Sequence, residues 1–178
     1  MTRSWAARYR IPFSFLVGIG ILLLAKPSHA SIGWGFPWVA AGVALRTWSS
    51  GHIQKNKELA TDGPYAFTRN PLYFGSFLIG FGFGVMVNRP LLLFLFFLVF
   101  WAVYRAVIEE EETLLKQRFG EDYLSYARRV PRFFPKWPGA SDTASRAGEF
   151  DWGLVVKHRE YYAWFGAVLS LGWLWWRL

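Results

Sequence analysis

The stretch Asp62 to Ser76, DGPYAFTRNPLYFGS, sets Tyr65, Arg69, Asn70 and Tyr73 around a glycine-proline turn at the entry to an apolar run. A second polar knot, Glu109 to Glu112, stands where another apolar run ends. Ionised groups at the edge of hydrocarbon are costly unless they meet each other or a charged ligand. Arg69 and the tyrosine pair are more than a helix cap requires, so the stretch has a polar task beyond starting a helix. A helix spreads four consecutive glutamates around its whole circumference, so at least one faces the protein interior. Its expected counter-charge is Arg69, Arg105 or a bound cation. A solvated acidic face suffices for the other glutamates, and a capped helix entry is the plainer reading of Asn70 and Pro71.

The local pattern explains how these groups are held. Asp62-Gly63-Pro64 makes a turn, Pro71 fits the first turn of a helix where its missing N–H costs nothing, and Asn70 can cap that helix. His52 stands upstream of the same stretch. Gly80, Gly82 and Gly84 lie inside the following apolar helix, where they serve close helix packing better than phosphate contact. Activated-serine arrangements, paired histidines on a helix and a glycine-rich phosphate loop after a strand are all missing.

Composition says where such a site must sit. The chain has 178 residues, 53% hydrophobic and 20% aromatic, with 11 Trp and 17 Phe, more apolar surface than a soluble domain of this size buries. It has no cysteine, which removes disulfides, thiolate metal sites and cysteine nucleophiles. His29, His52 and His158 show no metal-ligand spacing, so no metal is expected. The net charge of +8 flanks apolar segments and forms no stripe, which points to anionic lipid headgroups and away from nucleic acid.

The expected fold is all-α: a single polytopic membrane domain over residues 1–178 with about five transmembrane helices. The apolar stretches are Ile11 to Ala25, Ile32 to Leu45, Leu72 to Val87, Pro90 to Ile108 and Tyr161 to Trp176. Four are shorter than the ~20 residues that cross a bilayer comfortably, and interfacial Trp and Tyr can extend them. With five spans, 17 of the 20 Lys and Arg residues fall on one side. The positive-inside rule makes that side cytoplasmic, with the N-terminus and the long polar connections. The fourth segment should continue past the membrane as a helix, with Glu112 and Lys116 an i, i+4 pair, Leu115, Phe119, Tyr123 and Tyr126 at helical spacing, and Gly120 a possible break. Residues 140–149 read as a polar linker. Residues 150–162, mixing apolar and basic side chains, read as an amphipathic surface segment and a candidate gate over substrate entry.

The order H…L.TDGPY.F.RNP.Y.GS, then a glycine-rich helix, a hairpin and EE..L...FG..Y..Y…VPRF.P, resembles the isoprenylcysteine carboxyl methyltransferase family and its phospholipid methyltransferase relatives, over a core from residue 52 to residue 135. The resemblance implies a cytoplasm-facing pocket that binds S-adenosylmethionine, releases S-adenosylhomocysteine, and methylates a lipid-like substrate entering from the bilayer. It also implies donor contacts from His52, Thr61, Gly63, Pro64, Tyr65, Arg69, Asn70, Pro71, Tyr73, Glu111 and Glu112, with Arg69 and Glu111 catalytic and Tyr104 and Arg105 at the acceptor. Many members carry histidine where this chain has Asn70, and asparagine does not titrate near neutrality. The eukaryotic enzymes carry an arginine nearer the acidic run, where this chain has Val107. The resemblance slightly favours carboxylate O-methylation of the isoprenylcysteine type, with phospholipid or amine N-methylation as the alternative. The rival readings are an NADPH-dependent enzyme of the sterol-reductase type and a non-catalytic lipid-binding membrane protein.

Overall fold

The computed structural model describes residues 18–53, 58–136 and 150–178. Among them there is no strand. A short helical piece, residues 18–23, is followed by α1 (His29–His52), a 3-10 turn (Gly63–Ala66), α2 (Pro71–Val87), α3 (Pro90–Arg129), α4 (Trp152–Lys157) and α5 (Tyr161–Trp176). Residues 11–17 of the first expected span and the 140–149 linker lie outside the described residues. By length and composition α3 can cross a membrane, and α2 is a shorter apolar helix.

Helix starts follow from sequence. Ser28 and Ser31 form a reciprocal capping box, each hydroxyl accepting the other residue's backbone N–H at 3.1 and 2.9 Å. Such a cap stabilises a helix by about 1 kcal/mol. The Ser31 hydroxyl also reaches the Met86 carbonyl at 3.0 Å, fastening the start of α1 to the end of α2. Pro71 and Pro90 occupy the first turns of α2 and α3 as expected, and left-handed Asn88 (φ 56°) closes the tight connection between them. Gly120, at φ 50° and ψ −124°, breaks the helical dihedrals of α3, so its last stretch is a second helix joined at a kink.

α1 and α2 run antiparallel with their main chains nearly touching. A Cβ added at Gly82 would stand 2.7 Å from the Gly35 carbonyl oxygen, and one at Gly42 2.6 Å from that of Gly75. Gly80 and Gly84 instead face α3, against Phe96 and Leu93. The glycine run therefore serves two helix contacts at once. At one end of the bundle, Ala25, Val39, Met86, Val87, Ala167 and Leu174 form a buried core, and Trp173 of α5 and Arg177 just after it donate to the carbonyls of Leu22, Leu23 and Ala25. At the other end, Arg46 of α1 forms a bidentate pair with Glu160 at 3.0 and 2.8 Å, and its remaining nitrogen donates to Ser76 and to the Leu72 carbonyl of α2. The start of α5, the end of α1 and the start of α2 thus meet at that end.

Candidate functional site

The turn before α2 is built around one glycine. Gly63 sits at φ 50°, and a Cβ there would stand 2.6 Å from Cδ2 and 2.7 Å from Nε2 of His52. Backbone and packing both demand glycine. His52 itself ends α1 and is fixed through Nδ1 to the Trp48 carbonyl at 2.9 Å. Phe150 lies on its other neighbours, at 5.9 Å between ring centroids from His52 and directly over Gly51. Segment 150–160 packs on the end of α1, with Asp151 N–H donating to the Gly51 carbonyl.

Residues 67–70 are tied to the stretch after α3. Arg69 N–H donates to the Pro131 carbonyl, Lys136 N–H to that of Phe67, and the Thr68 hydroxyl to that of Phe133, each at 2.9 Å. Asn70 stands at the N-cap position, yet its side chain does not cap α2. Its Nδ2 donates to the Arg132 carbonyl at 2.8 Å. This corrects the capping expectation: with Pro71 at N1 one helix N–H is absent, and an opposed carbonyl from another segment is the stronger use of a buried amide.

That tie brings the two polar stretches together. The Tyr73 hydroxyl donates to Glu111 Oε1 at 2.6 Å. Glu112 is the buried member of the acidic run. One of its oxygens lies 3.2 Å from Arg69 Nη1 and the other accepts from Arg132 Nη2 at 2.6 Å. The expected Glu112–Lys116 pair gives way to this inward one, because a buried carboxylate is costly without cations held against it. Arg105, the alternative partner for the interior acid, pairs with Glu109 at 3.0 Å. Arg69 also donates to the Tyr123 hydroxyl at 3.2 Å, and the Tyr126 hydroxyl to the Tyr65 carbonyl at 2.8 Å.

Burial, then neighbouring anionic groups, holds the Tyr65 hydroxyl well above the usual tyrosine range, and burial raises Tyr126 and Tyr123 too. All three keep their protons at neutral pH and remain hydrogen-bond donors. The Tyr65 hydroxyl and Arg69 Nε are buried with no hydrogen-bond partner among the described residues, and Glu112 Oε1 is ion-paired with Arg69. Two orphaned donors beside a carboxylate fit a ligand with acceptor oxygens and a positive group.

Next to this cluster runs a cavity of about 180 Å³ with walls of Phe100, Trp101, Tyr104, Ile108 and Phe133 and with Arg105 and Arg132 at its polar side. Tyr104 stacks on Phe100 at 4.2 Å and meets the Tyr73 ring edge-on at 5.3 Å. The Tyr73–Tyr104 pair is therefore the partition between cavity and acid cluster. Thr61 and Pro71 frame the stretch, Thr61 half-buried and Pro71 buried at the start of α2. Arg132, Tyr123 and Tyr126 were not among the expected site residues. Their signal was the helical spacing of the tyrosines and the arginine within VPRF.

The phospholipid methyltransferase family model matches residues 33–122. The nickel-cobalt-cadmium resistance protein NccN of Alcaligenes xylosoxydans xylosoxydans is 34% identical over 147 residues, 75% of this chain and 68% of that protein. The cobalt-zinc-cadmium resistance protein CzcN of Cupriavidus metallidurans is 36% identical over the same length, covering 75% of this chain and 67% of that protein. Mouse protein-S-isoprenylcysteine O-methyltransferase is 42% identical over 77 residues, 43% of this chain and 27% of the mouse enzyme. The chain belongs to the phospholipid methyltransferase family. The family is one of methyltransferases, which implies a methyl donor, and α3 is long and apolar enough to cross a membrane.

Proposed function

We propose that the chain transfers a methyl group from S-adenosylmethionine to a lipophilic acceptor drawn from the bilayer, by O-methylation of a carboxylate of the isoprenylcysteine type. The observation that carries this reading is the Tyr73–Glu111 hydrogen bond at 2.6 Å, which joins the turn stretch to the acidic run beside Arg69. When bound, S-adenosylmethionine supplies a methyl group on a positively charged sulfur, open to direct displacement. The protein then has to hold, align and shield.

In this reading Arg69 holds the donor's carboxylate through the nitrogen left without a partner, and Glu111 and Glu112 answer its ammonium or hydroxyl groups. Tyr65 and Tyr73 present ring faces and hydroxyls to its cation. Gly63 and Pro64 offer backbone, and His52, Thr61, Asn70 and Pro71 fix the turn around it. Tyr104 and Arg105 receive the acceptor. A carboxylate acceptor is already ionised, whereas an amine must first lose a proton. Arginines beside the cavity favour the carboxylate over the amine. The resistance names of the two bacterial relatives describe a phenotype and not a reaction.

The same reading places five spans in the bilayer, with the N-terminus and the site on the cytoplasmic face, as the lysine and arginine bias requires. Titration calorimetry with S-adenosylhomocysteine on the purified protein in neutral detergent tests the donor site. Saturable heat that Glu111→Ala abolishes is expected, and no heat from the native chain at saturating ligand would overturn the reading.

A further inference from the structure

Beyond the region that the family model matches, which ends at residue 122, the chain sends one acid back to the site's end of the bundle. After α4, Arg159 stands at φ 59°, a left-handed conformation uncommon outside glycine, and the reversal brings Glu160 onto α1. The neighbouring His158 is tied through Nδ1 to the Ser50 carbonyl at 3.1 Å, and Trp164 donates to the Thr47 hydroxyl at 2.8 Å. Glu160 is 6% exposed and grips Arg46 with both carboxylate oxygens. The third nitrogen of that guanidinium, Nη1, reaches across to the first turns of α2, donating to Ser76 Oγ at 2.5 Å and to the Leu72 carbonyl at 3.3 Å. The Ser76 hydroxyl donates to the same carbonyl at 3.0 Å.

We propose that Glu160 is a positioning residue for the donor site: through Arg46 and Ser76 it fixes the rotation of the first turn of α2, and so the direction in which Tyr73 points at Glu111. The proposal rests on the reading of Tyr73 and Glu111 as donor contacts. At 3.6 residues per turn Tyr73 projects roughly 100° around the helix from Leu72. One face of the turn is therefore pinned to α1 and the C-terminal segment, and the adjacent face delivers the Tyr73 hydroxyl to α3, 2.6 Å from Glu111 Oε1. A guanidinium held by two carboxylate oxygens is a fixed planar fork, which leaves one orientation for its remaining nitrogen. Without Glu160 that fork is free to turn, and a shift of about 1 Å in what it holds stretches a short hydrogen bond past its working range. Burial, then Tyr126, Glu111 and Glu160 in turn, raises the Tyr65 hydroxyl, so the C-terminal acid and the α3 acid act on one phenol inside the site.

The test uses the full chain in neutral detergent, its tyrosines isotope-labelled at the ring carbon that bears the hydroxyl, whose resonance reports the hydrogen bond. Tyr73→Phe assigns the Tyr73 signal, and Glu111→Ala marks where it moves when the carboxylate contact is lost. Ser76→Ala and Glu160→Gln should move it in the same direction, and Ser76→Thr, which keeps the hydroxyl, should leave it in place. Trp164→Phe loosens the same segment without touching this chain of contacts, so it should lower the melting temperature and leave the signal unmoved. In the same samples Ser76→Ala should weaken S-adenosylhomocysteine about fivefold, with no further loss when it is added to Tyr73→Phe. A moved Tyr73 signal in a protein that binds no S-adenosylhomocysteine supports the positioning of Tyr73 while ending the donor reading. An unmoved signal in Ser76→Ala or Glu160→Gln, an equal movement in Trp164→Phe, or additive losses of affinity in the double variant overturns the proposal.

Discussion

The side-chain amide of Asn70 donates to the main-chain carbonyl of Arg132 at 2.8 Å, so the residue that opens α2 holds the segment that follows α3. Asn70→Ala leaves the part-buried Arg132 carbonyl with only its longer contact to the Thr68 hydroxyl at 3.4 Å, at a cost of about 1 kcal/mol. Thermal unfolding in detergent should shift down, and S-adenosylhomocysteine affinity should fall with it, because Arg132 carries one of the two cations on Glu112. An unchanged midpoint would show that the contact is incidental.

Tyr73→Phe removes the hydroxyl that meets Glu111 and keeps the ring that packs against Tyr104. A hydrogen bond to a charged group contributes about 1.5–3 kcal/mol. Cofactor-product affinity should therefore weaken about tenfold or more, while the melting temperature moves little. A variant that unfolds early but binds normally would place the hydroxyl in the scaffold only.

The Arg46–Glu160 pair is mostly buried, with 24% and 7% of the two side chains exposed. Arg46→Met strands Glu160 and should cost about 3 kcal/mol, whereas Arg46→Met combined with Glu160→Met should recover much of that loss. Additive single and double variants, measured by chemical denaturation, would show the two residues to be uncoupled.

At Gly82 an added Cβ meets main-chain atoms of Gly35 and Val39 within 3 Å, while Gly33 has open space around it. Gly82→Ala should destabilise by about 1–3 kcal/mol, and Gly33→Ala should be neutral or stabilising. Equal melting temperatures for the two variants would deny the close α1–α2 approach.

Buried tyrosines set the alkaline limit. Tyr126 and Tyr65 hold their protons above the ordinary tyrosine value in the folded chain and lose them near pH 10 when unfolded. The unfolded state then binds fewer protons, so stability is full below about pH 10 and falls above it, by at most about 1.4 kcal/mol per pH unit for each such group. Melting between pH 8 and 11 should show this decline, and Tyr126→Phe should make it shallower. A flat profile would mean these hydroxyls reach water.

The starts of α2 and α3 were legible in the sequence because the prolines at positions 71 and 90 mark them, and the apolar runs leave little doubt about helical type. The convergence of Arg69 and Tyr73 with the acidic run was legible for a different reason: charges at hydrocarbon edges need partners. Which glutamate met which cation was not legible. Glu112 is the most deeply buried of the four, and Glu111 beside it meets Tyr73, because of their angular positions on α3 relative to α2, a tertiary fact that spacing alone leaves open. Arg132 was hidden because its guanidinium and its carbonyl act on different partners, and a sequence displays only the side-chain type. In the first apolar stretch residues 18–23 are helical as expected, while 11–17 and the polar linker lie outside the described residues.

At Gly75 an added Cβ would lie 2.7 Å from Cγ of Arg46. The missing methyl is the notch through which the arginine stem crosses α2 on its way to Glu160. A substitution there would leave its own helix whole and show itself as a loosened C-terminal helix, a lesion read far from where it was made.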